Sequence, residues 1–374
     1  MDNLTHSLVG LTAAKAGLEK LSPGATLLCL IAANGPDGDI LVLPFGDRWT
    51  YLHHHRGITH AIAGVICIAL FLPLLFYAVD WLWSRFRNRA PQVNLKGLML
   101  ISFIVSATHP LLDYTNNYGI RPFLPWDPKW IYGDFVFIVD PYLWLILGGA
   151  CFLLSAKTIA GKIIWGVVAS IITFLLVFNP RSSSMPNFQA IALIWIVGLA
   201  ALIILFVKGA GRRWGRKIAF VAFAAMLCHW GFLKFQHSRA FAYANEEAAR
   251  LVRPYGETVG RLAAMPTLAN PFRWDCAFET DRATYRFNFG LGDEAPPSKI
   301  IRYPKPPPDL KEKVAEQRPG RIFLGFARFP VMRLEYPGCT SQTLVQLADL
   351  RYTEPGSSRG TFALELSVDC PEEQ

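Results

Sequence analysis

Six apolar runs constrain this chain more than any other feature. Residues 58–83, 97–112, 135–156, 163–179, 188–207 and 217–236 each approach the roughly 20 residues that a helix needs to cross a bilayer. They predict an α-helical integral membrane domain of six spans. Composition agrees, because 52% of residues are hydrophobic and only 17% charged, a balance too apolar for an ordinary soluble enzyme.

The loops orient the bundle. Connections after the first, third and fifth runs carry Arg85, Arg87, Arg89 and Lys96, then Lys157 and Lys162, then Lys208, Arg212, Arg213, Arg216 and Lys217. The opposite connections hold only Arg121, Lys129 and Arg181, an asymmetry of 11 to 3 that alternates through every crossing and marks the basic loops as cytoplasmic. Residues 1–236 hold 19 Lys/Arg against 10 Asp/Glu, and residues 237–374 hold 18 of each, so the net +9 belongs to the apolar part. A neutral soluble part removes the main support for nucleic-acid binding, and no nucleic-acid partner is expected.

Three domains follow. Residues 1–57 contain two apolar stretches, Ser7 to Leu18 and Gly24 to Ala33, each too short to span, which predict a re-entrant hairpin followed by polar loops. The Met1 region lacks the basic start and cleavage site of a removable signal peptide, so these residues are expected in the mature protein. Residues 58–236 form the six-span domain. Residues 237–374 read as a mainly-β extracytoplasmic domain: an amphipathic helix over 239–265, then antiparallel strands at 272–280, 283–290, 321–328, 331–336, 343–352 and 361–369. Pro304 to Pro308 is a stiff linker before a short helix at Asp309 to Gln317. Cys29, Cys67, Cys151 and Cys228 lie in apolar runs as small hydrophobes, while pairing among Cys276, Cys339 and Cys370 stays open.

The chemistry gathers on one side of this topology. Six of the eight histidines, His6, His53, His54, His55, His60 and His109, map to the outer side with Asp37, Asp39, Asp113, Asp134 and Asp140. His109 and Asp113, four apart, share a helix face where a metal can bridge them, although helix capping and packing are the favoured account of the pair taken by itself. Asp37-Gly38-Asp39 places two carboxylates where they repel unless a cation or proton intervenes; a solvated turn is the plain alternative. His55 and His60 bracket an Arg-Gly turn at the head of a membrane helix and are read as ligands, with Arg56 available for an anionic oxygen. His53 and His54 are read as exposed, and His229 and His237 as structural. Asp140 is either an intramembrane functional acid or a cap ahead of Pro141. The serines of Pro180 to Pro186 have no base near them, and no Gly-x-Ser-x-Gly or phosphate-binding loop occurs.

Leu4-Thr5-His6, Pro36-Asp37-Gly38-Asp39, His55-Arg56-Gly57-Ile58-Thr59-His60, His109-Pro110-Leu111-Leu112-Asp113, Asn117-Tyr118-Gly119 and Asp134 to Asp140-Pro141 together resemble the YdjM-like family of membrane-bound, hydrolase-like proteins. That family is itself distantly similar to the zinc-dependent phospholipase C and single-strand nuclease superfamily. The resemblance covers residues 1 to about 145, and Pro271 to Trp274 with Arg328 to Pro330 resemble the outer domain of some members. It implies a bacterial inner-membrane protein with metal ligands His6, Asp37, Asp39, His55, His60, His109 and Asp113. The resemblance further implies two or three Zn²⁺ ions, with Mn²⁺ as the alternative, and hydrolysis of a phosphoester. Asp37 or Asp39 would be the general base, and Arg56 would neutralise developing charge. A site at the outer boundary suits an amphiphilic phosphate, a phospholipid or a lipid-linked phosphate. A metal-binding or transport protein, and a structural metal clamp whose outer domain recruits an envelope partner, are the non-enzymatic alternatives.

Overall fold

The structure is a computed structural model and describes residues 1–178, 188–293, 295–297, 299–335, 342–356 and 362–369. Pro180 to Pro186, Arg181, Cys339, Cys370 and the ends of two expected strands, at 336 and 361, lie outside the described residues. The chain divides into two units, residues 1–38, 58–233 and 268–270 in one, and 39–57, 234–267 and 271–374 in the other.

In the first unit, α1 (Asn3–Ala16) and α2 (Ala25–Asn34) pack as a helical hairpin turned by Gly17 and Gly24, both at positive φ. Gly10 makes the close approach possible: a Cβ there would lie 2.5 Å from the Cys29 carbonyl oxygen. Asp2 caps α1, its carboxylate accepting the Thr5 N–H at 2.9 Å. The apolar runs then form α4 (Ile62–Phe86), α5 (Leu95–Tyr114), α6 (Pro141–Ser155), α7 (Ile159–Thr173), α8 (Phe188–Val207) and α10 (Lys217–Val252), with α9 (Ala210–Trp214) ahead of the last; α3 (Arg48–His54) and α10 beyond Leu233 belong to the second unit.

Among the described residues, six segments are long and apolar enough to cross a membrane, but they are not the six expected. Ala25–Phe45 joins the set, because α2 continues into 3-10 winding, and Pro141–Ser155 leaves it. The expected span at 135–156 is cut short because Asp140 caps α6, accepting the N–H groups of Tyr142 and Leu143 at 2.8 and 3.3 Å. Fifteen residues reach only about 22 Å along the axis. Lipid-facing helices leave large side chains exposed, and α6 instead buries Leu143, Leu147 and Cys151 in a core with Leu8, Val9 and Leu112. Cys29 and Cys151 are buried as expected, whereas Cys67 and Cys228 lie on exposed faces.

The second unit contains two antiparallel sheets, β1 (Val259–Thr267), β2 (Asn270–Thr280), β3 (Ala283–Gly290) and β4 (Ile300–Pro304) in one, and β5 (Pro330–Leu334), β6 (Gln342–Asp349) and β7 (Ala363–Asp369) in the other. The β2–β3 register sets Trp274 against Phe289, Cys276 against Phe287 and Phe278 against Tyr285. That face packs on Ala240, Ala244 and Ala248, a small-residue stripe at helical spacing on α10. The opposite face buries Ala277 with Phe329, Val331 and Ala348.

Two expectations for this unit fail for identifiable reasons. The helix expected over 239–265 is the continuation of α10 and stops at Val252, where Pro254 and Gly256, at φ 61°, end it; residues 259–267 are β1. The expected strand 321–328 is α12 (Arg318–Phe326), because its buried residues Gly320, Phe323 and Phe326 recur every third position rather than every second. The helix near Asp309 is α11 (Pro308–Glu316).

Glu257 knots the first sheet. Its carboxylate accepts from Arg302 at 2.5 Å, Thr280 at 2.7 Å and Tyr285 at 3.0 Å. Burial acts to raise its pKa, but these hydrogen bonds and the guanidinium charge outweigh burial and hold the carboxyl below its ordinary value. A depressed folded-state pKa contributes stability that is full above the unfolded value and is lost as pH falls through the folded one. Glu257→Ala should therefore destabilise the sheet by about 2 kcal/mol at pH 7. The penalty should shrink under strong acid, and hydrogen exchange of β2 and β3 in the full chain measures it.

Candidate metal centre

The first unit brings five of the seven expected ligands together: His6, Asp37, His60, His109 and Asp113. His6 sits in the first turns of α1, and Asp37 follows Pro36 where α-helix gives way to 3-10 winding. His60 ends the 3-10 turn Ile58–His60 just before α4. His109 and Asp113 lie one turn apart at the end of α5, which continues through Pro110, so the predicted shared face exists.

The distances are close and uniform. His60 Nε2 lies 3.3 Å from an oxygen of Asp37 and 3.3 Å from Oδ2 of Asp113. His109 Nε2 lies 3.5 and 3.4 Å from the same two oxygens, and 3.1 Å from His60 Nε2. The other oxygen of Asp113, Oδ1, is 3.5 Å from His6 Nε2. The His6 ring stacks on that of His109 with centroids 3.7 Å apart. Three imidazoles and the Asp113 carboxylate are shut from solvent, and the Asp37 side chain alone among the five is partly open, at 17%.

Hydrogen bonding decides how the rings present themselves. His109 Nδ1 lies 2.6 Å from the Ala33 carbonyl oxygen, which can only accept, so Nδ1 carries the proton and a neutral ring turns its Nε2 lone pair into the cluster. His60 Nδ1 pairs with the Thr59 hydroxyl at 3.1 Å, leaving its Nε2 facing that of His109. Two lone pairs at this separation repel unless a proton or cation lies between them. His6 is fully buried with neither ring nitrogen hydrogen-bonded among the described residues. The His6 nitrogens, beside the buried Asp113 that also pairs with the Met1 ammonium and near the partly open Asp37, fit a bound cation that would satisfy that ring.

The remaining expected residues form a local knot in the second unit. Asp39 accepts the Arg56 backbone N–H at 3.1 Å, and both its oxygens lie 3.2 Å from His55 Nδ1. Arg56 is buried and adopts φ 53°, a left-handed conformation unusual for a non-glycine residue, and the Asp39 bond helps hold it there. His53 and His54 are exposed at the end of α3, as expected. His237 packs beside Trp274, in keeping with a structural role.

His229 is not the isolated residue its sequence context suggested. Its Nε2 lies 2.8 Å from Asp140 Oδ2, while Asp140 Oδ1 caps α6, so the two oxygens divide a pairing role and a capping role. Asp134, buried in the loop ahead of α6, takes φ 58°. Sequence reading also missed the indole of Trp144, which donates to Asp2 and Thr5 at 3.1 Å each and ties α6 to the helix that carries His6.

A buried His/Asp cluster within a bundle of apolar helices defines a multi-helix membrane protein with a centre able to hold a metal. Residues 1–183 match the model of the YdjM inner membrane protein family. No curated protein and no solved structure matches the chain.

Proposed function

We propose that this protein is a membrane-bound, metal-dependent hydrolase acting on a phosphoester of a lipid or lipid-linked substrate at the outer face of the inner membrane. The observation that carries the reading is the spacing of three donors, His60, His109 and Asp113, with the partly open Asp37 at a like distance from both histidines. A tetrahedral zinc with bonds of about 2.0–2.1 Å sets its ligand atoms about 3.3 Å apart. Five of the separations among His60, His109, Asp37 and Asp113 lie between 3.1 and 3.5 Å. Asp113 would hold a metal through Oδ2, while its Oδ1 accepts from the Met1 ammonium and lies 3.5 Å from His6 Nε2. Zinc suits a His/Asp set without thiolates, and manganese is the alternative.

Bound zinc supplies a Lewis acid that activates water near neutral pH and polarises a phosphoryl oxygen. The chain's own residues supply the rest. Asp37, the one partly open carboxylate of the five, is placed to take a proton from water; its distances to His60 and His109 hold it in that position. The Ala33 carbonyl fixes the His109 tautomer. Asp39 holds the backbone of Arg56, to which this reading gives an anionic oxygen of the substrate, and Asp39 stays a candidate base beside Asp37. Ligation by His55 remains part of the proposal, with Asp39 as its neighbour.

Arg56→Ala should leave metal content and folding intact and lower phosphoester turnover at least about 100-fold, because it removes charge stabilisation in the transition state. A panel of lipid and soluble phosphodiesters with added Zn²⁺ or Mn²⁺ provides the assay. No turnover by fully metallated wild-type protein across the panel would sink the hydrolase reading. The burial of His6, His60, His109 and Asp113 favours one other reading, a closed structural clamp, and that negative result would support it.

The outer-side placement rests on the basic-loop asymmetry, 11 to 3, which holds only if the shorter α6 also crosses the membrane. Reporter fusions should find the 84–97 loop cytoplasmic and residue 374 external. External labelling of that loop would reverse the orientation and move the centre to the cytoplasmic face.

A further inference from the structure

A cavity of about 210 Å³ lies between α1, α6, α7 and α8, away from the His/Asp cluster. α1 presents Leu4 and Leu8 to it, roughly opposite on the helix to His6. Along α7 the lining runs from Lys162 to Ile172, which spans about 15 Å of helix axis, so the space is a slot parallel to the helices. Its walls are apolar. Trp144, Trp165 and Trp195 line the slot, and their indole N–H groups are engaged with Asp2 and Thr5, Ser155 and Thr173 respectively. Gly166 opens it further, since a Cβ there would meet nothing within 4 Å.

One end differs. Lys162 is exposed and is the only charged residue in the lining. Lys157, Lys208, Arg212 and Arg213 are exposed at the same end of the bundle, where α6 and α8 finish and α7 begins. α9, which carries the two arginines, packs on α6 with Gly211 against the Leu153 carbonyl. An apolar slot with a cationic rim is complementary to an anionic amphiphile. We propose that this slot binds one acyl chain of an anionic phospholipid of the bilayer, with the headgroup phosphate held by Lys162 and its basic neighbours. This lipid is distinct from any substrate of the metal centre, and the proposal stands without that activity.

Native mass spectrometry of the full chain, equilibrated with phosphatidylglycerol and phosphatidylcholine of equal acyl composition, tests it. Wild-type protein should retain one phosphatidylglycerol, preferred at least about fivefold. Gly166→Phe, which fills the slot, should abolish retention, and Lys162→Glu with Arg212→Glu should remove the headgroup preference. Gly231→Phe, at another glycine facing open space on α10, should behave as wild type. Unchanged retention by Gly166→Phe, or equal retention of both lipids by the wild type, would overturn the proposal. Should Gly166→Phe not fold, a phosphatidylglycerol carrying a diazirine on its acyl chain is used with wild-type protein. Crosslinks should fall within 144–152, 162–172 and 195–203, and their absence from all three overturns it.

Discussion

Protein purified with His109→Ala should bind its transition metal at least about 100-fold more weakly than wild type. His109 occupies the middle of the cluster: its Nε2 lies 3.1 Å from His60, 3.5 Å from Asp37 and 3.4 Å from Asp113, and its ring stacks on His6. Removing the ring takes away a nitrogen donor and opens a hole beside Asp113. The Ala33 carbonyl also loses its partner. His53→Ala, at an exposed histidine outside the cluster, controls for general loss and should keep full metal content. Elemental analysis of both variants gives the answer. Equal stoichiometry and affinity in His109→Ala would remove this residue from the ligand set and with it the proposed donor group of His60, His109 and Asp113.

Gly10→Val should cost about 3 kcal/mol and disperse the centre without touching a ligand. Gly10 faces α2, where a Cβ would stand 2.5 Å from the Cys29 carbonyl oxygen and 2.8 Å from the Ala33 methyl group. Backbone cannot rotate aside as a side chain can, so the helices must separate. α1 carries His6, and α2 supplies the carbonyl that orients His109 and leads into Asp37. Metal affinity should fall with thermal stability in this variant. Gly231→Ala, where a methyl group meets open space, should leave both unchanged. Normal metal binding by a well-folded Gly10→Val protein would show that the hairpin contact does not position the site.

Most of the helices are legible in the sequence because a run of about 20 apolar residues has one common solution in lipid, which satisfies every backbone polar group within the segment. The His109/Asp113 spacing is legible for an equally simple reason, since four residues make about one helical turn. The continuity of α10 is harder to see. Its first part follows a membrane pattern and its second an amphipathic one, yet no glycine or proline separates Gly231 from Pro254, and the helix has no reason to stop. Short runs such as 321–328 fit periods of two and three alike until their neighbours choose. The pairing of His229 with Asp140 is invisible locally, because the partners are 89 positions apart. The Ala33 carbonyl that fixes His109 leaves no trace in residue type, since every residue has one.

The tie from Trp144 to Asp2 and Thr5 sets an order of assembly during synthesis. Every residue of the His/Asp cluster has been translated once Asp113 leaves the ribosome, but the helix bearing His6 is still too short to hold itself across lipid. Its second wall, α6, arrives some thirty residues later by the chain's own numbering, bringing Leu143, Leu147 and the indole that grips the start of α1. The first-made helix therefore settles only once α6 has joined it, ahead of α7, α8 and α10. A metal taken up by this centre would then be loaded while α7, α8 and α10 are still to be made.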